Sequence, residues 1–413
     1  MTLDFGLKTL DEMTVLIVPD KFKGTLSARE AAQAIARGWR KTRPDDSLEL
    51  LPMSDGGDGF GEVMSRLLRA KPRTVNTVDA AHSRCKATWW WESKSKTAII
   101  ESARVIGLAM LPPGKFHPFE LDTFGLGAVL HAAQAKGAKQ ILIGIGGSAT
   151  NDGGFGLARA LGWKFFDKHG RLIEKWMALH ALADILLPSS GARTAESARF
   201  LSKAVSHYVR NQPVRADKAV RAPDASFGKM IVAVDVQNPL LGTRGATRVY
   251  GPQKGLRRGD FAHAERCLRR LASIEKRQSG QDLACVPGAG AAGGLGFGLA
   301  AFFGARLQPG FELFARHAKL SQRLRAADLV ITGEGAIDRS TAMGKGVGQI
   351  ARRCRELEIP CVGLTGTAVR SPSLTRLFAE VHALTDLTTP VEAIAKPALW
   401  LERLATRAAK ELP

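Results

Sequence analysis

Residues 141–154 read ILIGIGGSATNDGG, an apolar run that ends in glycines and then supplies Ser148, Thr150, Asn151 and Asp152 within five positions. Comparable polar loops recur along the chain. PDKFKG carries Asp20, Lys21, Lys23 and Gly24, and MSDGGDG carries Asp55 and Asp58. VDVQNPL supplies Asp235 and Asn238, and GPQKG supplies Gln253 and Lys254. GAGAAGG spans 288–294, and TGEGAID brings Glu334 and Asp338. Nearly all follow the end of an apolar run, where open α/β sheets bind ligands. Glycines let backbone N–H groups approach an anion, and a helix N-terminus favours negative charge there. Several aspartates beside an anion repel it unless a hard cation lies between, which points to Mg²⁺. Lysine and Mg²⁺ together neutralise a transferring phosphoryl group.

Each loop alone also has an ordinary reading. Asp-Gly-Gly is commonly a turn, Asn238 before Pro239 can initiate one, and Asp235 can cap the turn after it. Turn chemistry does not explain five or more such loops placed together at strand ends. Other reaction classes fit poorly. The Walker A pattern is absent, so a P-loop is excluded, and no serine elbow or histidine partner supports acyl transfer. GAGAAG at 288–293 formally matches G-x-G-x-x-G and raises a nicotinamide-dependent dehydrogenase as an alternative. The run before it is only LACV, with Pro287 intervening, so this match is weak.

The elements that must position these loops alternate short β-branched runs with helical patterns, the mark of an α/β fold with largely parallel strands. Strands are expected at 14–20, 47–53, 86–93, 97–102, 140–146, 230–235, 327–335, 359–366 and 380–386. Helices are expected at 27–42, 59–70, 125–136, 154–161, 295–304 and 346–357, with Ser27 and Glu30 forming a capping box. At 413 residues two domains are expected. The outer parts read as plain β-loop-α units. The predicted division is therefore a domain from 1–79 and 286–413, with an α/β domain inserted over 80–285. Within the insert, 189–228 is polar, basic and turn-rich and reads as a surface excursion.

Composition limits the partners. The formal net charge of +20 raises a basic nucleic-acid-binding protein as a further alternative. The charge is spread over many helical faces, however, and 257–277 reads as an amphipathic helix with a solvated basic face. No nucleic-acid partner is expected. Five cysteines without a C-x-x-C pair argue for reduced thiols in a cytoplasm, and the first residues do not read as a secretory signal. The uncharged stretch 283–305 is too rich in glycine for a membrane span and reads as a loop entering a core helix. No membrane partner is expected, and monomer and homodimer both stay open.

Taken in order, PDKFKG, PMSDGGDG, ESARVIGL, IGIGGSATNDGG, VDVQNPLLG, VYGPQKG, GAGAAGGLGFGL and TGEGAIDRSTAMGK closely resemble the bacterial type-1 glycerate kinase family. The resemblance runs from about Val15 to Gly366. It implies ATP- and Mg²⁺-dependent phosphorylation of D-glycerate, giving 2-phosphoglycerate in preference to 3-phosphoglycerate. It also implies two α/β domains, one flavodoxin/Rossmann-like and built from both chain ends, with the active site in the cleft between them. Two features depart from the family pattern: Lys21 stands where a small polar residue is usual, and 189–228 is longer and more basic.

Within that resemblance we assign expected roles. Asp235 orients or deprotonates the attacking hydroxyl, with Asp20 as second choice, and Lys23 clamps phosphate. Gly146, Gly147, Ser148, Asn151 and Asn238 bind substrate. Asp55, Asp58 and Asp152 are the metal candidates. Gly288, Gly290, Gly293 and Gly294, with Gly333, Glu334 and Gly335, are the nucleotide candidates.

Overall fold

The computed structural model describes residues 12–188, 227–342, 346–369, 374 and 376–411. The expected excursion 189–228 lies outside the described residues apart from Phe227 and Gly228. In chain order the strands are β1 (Thr14–Pro19), β2 (Ser47–Leu50), β3 (Lys71–Val78), β4 (Arg84–Glu92), β5 (Thr97–Glu101), β6 (Gln140–Gly144) and β7 (Lys164–Asp167). They continue with β8 (Leu182–Leu186), β9 (Lys229–Val234), β10 (Arg306–Pro309), β11 (Leu329–Ile337), β12 (Cys361–Ala368) and β13 (Glu380–Ala383). The chain forms two compact units, Met1–Asp55 with Phe311–Pro413, and Gly56–Gly310.

The first unit holds a parallel sheet in the order β13-β12-β11-β1-β2. Renumbered within the unit, this is the flavodoxin-like order 2-1-3-4-5, whose switch point lies between β1 and β11. The β1 sequence TVLIVP is buried along nearly its whole length, as a central parallel strand covered on both faces must be. Helix Ala28–Arg40 starts at the expected capping box: Ser27 Oγ accepts from the Glu30 amide, and Glu30 accepts from the Ser27 amide at 2.9 Å. Its buried Ile35 and Trp39 join Val15, Ile17, Leu329 and Leu404 in one core. Helix Pro397–Glu411 lies against it so closely that a Cβ on Gly38 would stand 2.0 Å from the Glu402 carbonyl. Full burial of each large apolar side chain contributes about 1.5–3 kcal/mol relative to exposure.

The second unit holds a six-stranded sheet in the order β10-β9-β6-β5-β4-β3, with β7 and β8 paired separately. The pairs among β5, β6, β9 and β10 are parallel, and β3 and β4 are antiparallel additions. Ile100, Ile143, Val232 and Leu295 form one core, and Phe155, Phe165, Trp176, Leu268 and Phe297 another. The basic amphipathic pattern forms helix Phe261–Ser279, burying Ala264, Leu268, Leu271 and Ile274 on one face. The stretch 283–305 becomes a 3-10 turn, a glycine loop and the buried helix Ala291–Phe303. Among the described residues no helix is long and apolar enough to cross a membrane.

Two differences from the sequence reading have physical causes. The unit divisions fall at 55/56 and 310/311, whereas the sequence reading places them at 79/80 and 285/286. β3 and β10 go with the second unit because each completes its sheet, beside β4 and β9. β3 itself was not anticipated. KPRTVNTV is exposed over most of its length, so it lacks the apolar alternation that marks a half-buried strand.

Candidate active site

In the first unit, chemistry-bearing groups gather where β1, β2 and β11 end. The Asp20 amide donates to the Gly333 carbonyl at 2.8 Å, which fixes the exit of β1 against β11. The Asp20 side chain is half-buried and its Oδ1 accepts from the Lys21 amide at 2.7 Å. Burial first, then the Asp55 carboxylate, pushes Asp20 up to about 8; Glu334 adds to the rise, while Lys21 opposes it. Thr341 Oγ1 donates to Glu334 Oε1 at 2.8 Å, and Thr365 Oγ1 donates to the Glu334 carbonyl at 2.8 Å. Beyond Lys21 the chain turns tightly, with the Phe22 amide donating to the Leu26 carbonyl at 2.9 Å. Buried Phe22 and Leu26 anchor that turn and leave Lys23 exposed. The turn runs past β11, where a Cβ on Gly335 would stand 3.4 Å from the Lys23 nitrogen.

In the second unit, β6 opens into the GGSATNDGG loop. The Gly146 amide donates to the Gly56 carbonyl at 3.1 Å. Gly147 has φ 77°, and a Cβ there would lie 2.0 Å from Asp58 Oδ1. Ser148 Oγ accepts from the Thr150 amide at 3.1 Å, donates to the Ala292 carbonyl at 3.2 Å and sits 3.0 Å from Thr150 Oγ1. Asn151 is fully buried. Its Nδ2 donates to Thr247 Oγ1 at 3.1 Å, and its Oδ1 has no hydrogen-bond partner among the described residues.

Asp152 is fully enclosed. Its Oδ2 accepts from the Thr123 amide, the Thr123 hydroxyl and the Gly156 amide at 2.9, 2.7 and 2.9 Å. Its Oδ1 accepts from the Gly154 amide at 3.2 Å. Burial, and next the Asp122 carboxylate, pushes Asp152 up to about 6. Lys254 is buried nearby and donates to the Thr150 carbonyl at 2.7 Å. Burial lowers Lys254 to about 7, against the pull of Asp152.

At the end of β9, Asp235 is exposed. Asn238 Nδ2 donates to the Arg244 carbonyl at 2.7 Å, and its Oδ1 accepts from Tyr250 at 2.6 Å. Burial, then the Asp235 carboxylate, pushes the Tyr250 hydroxyl up to about 12. The neighbouring glycines are held against protein. A Cβ on Gly288 would meet Val234, one on Gly290 the Pro239 carbonyl and one on Gly294 Leu240. At Gly293 a Cβ would stand 1.9 Å from the Thr150 carbonyl, and its φ of 69° disfavours other residues.

Compared with known proteins, the chain matches the Glycerate kinase family over residues 15–205 and 211–412. The chain belongs to this family. It is 36% identical over 354 residues to a glycerate kinase of Halalkalibacterium halodurans, covering 86% of this chain and 85% of that protein. It is 36% identical over 359 residues to glycerate 2-kinase of Escherichia coli, with 86% and 85% covered. A crystal structure described as glycerate kinase 2 from Salmonella typhimurium LT2 superposes with a TM-score of 0.74 at 32% identity, over 97% of this chain and 98% of that one.

On this glycerate kinase scaffold the expected site residues separate by unit. Asp20, Lys23, Asp55, Gly333, Glu334 and Gly335 belong to the first unit, and the remainder belong to the second. Three expectations need correction. Asp152 does not present a free carboxylate for metal, because its oxygens are committed to Thr123, Gly154 and Gly156. The Gly146 amide is likewise committed to Gly56, so it does not reach an anion. The dehydrogenase alternative lacks its strand, since 283–285 is a 3-10 turn and Ala292, Gly293 and Gly294 break the following helix. Sequence reasoning also left Thr123, Tyr250 and Glu101 without roles. Glu101 accepts from the Gly59 and Gly61 amides at 3.0 and 2.9 Å, capping helix Phe60–Leu67. Its place in ESARVIGL was the available signal.

Proposed function

We propose that this protein is a glycerate kinase that uses ATP and Mg²⁺ to phosphorylate D-glycerate, giving 2-phosphoglycerate. The observation that carries the reading is the placement of Asp20, Asp55 and Glu334 about the switch point of the first unit, where Asp55 and, less strongly, Glu334 act against the charge of Asp20. Oxygen donors of this kind suit a hard divalent cation, and burial together with the neighbouring Asp55 carboxylate, which raise Asp20 to about 8, disfavour the very charge that such a cation would stabilise. Mg²⁺ is commonly held by one or two carboxylates, with waters and substrate phosphates completing its shell. Asp20 and Asp55 are the proposed carboxylates, with Glu334 held close by Thr341. Bound magnesium would supply charge neutralisation on the phosphates.

The chain's own groups then have defined tasks. Lys23, exposed on its turn, is the phosphate clamp. Asp235 takes the proton of the attacking hydroxyl as that oxygen bonds to the γ-phosphorus and the bond to ADP breaks. Gly333 to Gly335 form the proposed nucleotide loop, because the glycines at 288–294 are taken up in packing. The name of the Escherichia coli relative, glycerate 2-kinase, supports the 2-phospho product, and the need for ATP supports a cytoplasmic location.

The test is an ADP-release assay with ATP, MgCl₂ and D-glycerate, followed by phosphorus NMR of the product. Glycerate-dependent ADP release with a 2-phosphoglycerate signal is expected. No such release with any divalent metal would overturn the function, and a 3-phosphoglycerate signal would overturn the regiochemistry alone.

A further inference from the structure

We propose that His180, His263 and Cys267 form a binding site for a zinc-class divalent metal ion. It would pin the 3-10 helix Trp176–Ala181 to helix Phe261–Ser279 within the second unit. The site is independent of the kinase reading.

His263 and Cys267 lie four residues apart on helix Phe261–Ser279, so they share one face. That face packs inward, with Ala264, Cys267, Leu268 and Leu271 all buried. His180 comes from the neighbouring 3-10 helix. One ligand atom from each of the three residues lies within 4.8 Å of the other two, and the rings of His180 and His263 stand 5.1 Å apart.

The three groups also converge on a single acceptor. His180 Nδ1, His263 Nε2 and Cys267 Sγ lie 3.0, 2.9 and 3.2 Å from the Met177 carbonyl oxygen. A carbonyl oxygen has two lone pairs, so three donors exceed what it can accept well. A cation set among two imidazoles, a sulfur and that oxygen makes use of every one of these lone pairs. The His180 backbone amide acts to lower the Cys267 thiol against the larger effect of burial, so it favours the thiolate that a metal would bind. Two imidazoles and a thiolate select zinc over magnesium, and the Met177 carbonyl or a water completes a tetrahedron.

Loading has a cost. Burial pushes the Cys267 thiol up to about 11, and the metal must displace that proton. Zinc bonds of about 2.0–2.3 Å also require the three side chains to draw together. His180 is exposed, which gives the ion an entry path.

The test titrates the full-length, chelator-stripped protein with CoCl₂ under reducing conditions. One cobalt per chain is expected, with sulfur-to-cobalt charge-transfer absorption that ZnCl₂ removes by displacement. Cys267→Ser should abolish that absorption, and His180→Gln should weaken cobalt binding by about tenfold or more. ZnCl₂ should raise the melting temperature of the parent protein and leave that of Cys267→Ser unchanged. Absence of the absorption at stoichiometric cobalt would overturn the proposal. Its persistence in Cys267→Ser would do the same, since it would come from another cysteine. If Cys267→Ser does not fold, the exposed His180→Gln variant decides, and unchanged cobalt affinity there rejects the site.

Discussion

The Asp152 carboxylate and Thr123 are joined twice, through the Thr123 amide at 2.9 Å and its hydroxyl at 2.7 Å. The same hydroxyl accepts from the Leu157 amide at 2.9 Å. The pair therefore ties the approach to helix Leu126–Ala135 to helix Phe155–Ala160. Asp152→Ala would strand several buried donors, each costing about 1–3 kcal/mol. We expect a loss of roughly 3 kcal/mol or more in urea unfolding. The magnesium concentration needed for half-maximal activity should not change in the protein that remains folded. A selective rise in that concentration at unchanged stability would return Asp152 to the metal.

Asp20 gives a pH dependence with a defined sign. Its carboxyl is raised from 3.8 to about 8, so the folded chain holds the proton more tightly than the unfolded chain. The resulting stability is fully present below about pH 4 and is lost as the pH rises through about 8. In chelator, urea unfolding should show stability falling across this window, and Asp20→Asn should flatten the fall. Added MgCl₂ should flatten it as well, by stabilising the ionised form. An equal slope in parent and Asp20→Asn would exclude this carboxyl as its source.

The neighbouring lysines should separate in a kinetic assay. Lys23→Ala removes the proposed phosphate clamp and should cost about 10²–10³ in kcat. Lys21 replaces a small residue of the family pattern, yet its charge opposes the rise of Asp20. Lys21→Ala should leave the maximal rate within a few-fold and move the pH profile of the metal-dependent reaction upward. Both are measured at saturating ATP and glycerate, with folding checked by thermal melting. Equal losses in kcat would reject the assignment of Lys23.

Gly147 and Asp58 occupy one space. An alanine methyl at 147 would collide with Asp58 Oδ1 and would hold a φ of 77°, which L-residues adopt at a cost of about 1–3 kcal/mol. Asp58→Ala removes the collision and leaves the strain. Gly147→Ala should therefore destabilise the parent more than it destabilises Asp58→Ala, by about 0.5–3 kcal/mol of coupling in a double-mutant cycle. Additive losses would mean that Asp58 turns aside freely.

Much of this organisation is legible in the sequence because buried parallel strands are written as apolar runs. TVLIVP, QILIG and KMIVAV mark their sheets and place polar loops at their ends. Ser27 and Glu30 predict a cap that is present. What sequence could not separate is a carboxylate facing ligand from one facing protein. Asp55 and Asp152 follow similar glycine-rich patterns, but Asp152 meets Thr123 across 29 positions, a partnership that no local spacing encodes. The zinc-class cluster was hidden for the same reason, since His180 lies 83 positions before His263 (263 − 180) and no short metal motif joins them.

The place of β1 has a consequence for synthesis on the ribosome. β1 pairs on one side with β2 and on the other with β11, and the Thr14 amide donates to the Asp328 carboxylate across 314 positions. Translation therefore exposes TVLIVP long before half of its pairing exists, while all of Gly56–Gly310 is made in the interval. Long-range parallel pairing is slow, and an unpaired apolar strand is prone to association. The nascent chain must shelter this strand until the segment from Phe311 onward emerges. The late-made half of the sheet, rather than the longer uninterrupted unit, sets the period during which the newborn protein is vulnerable to misassembly.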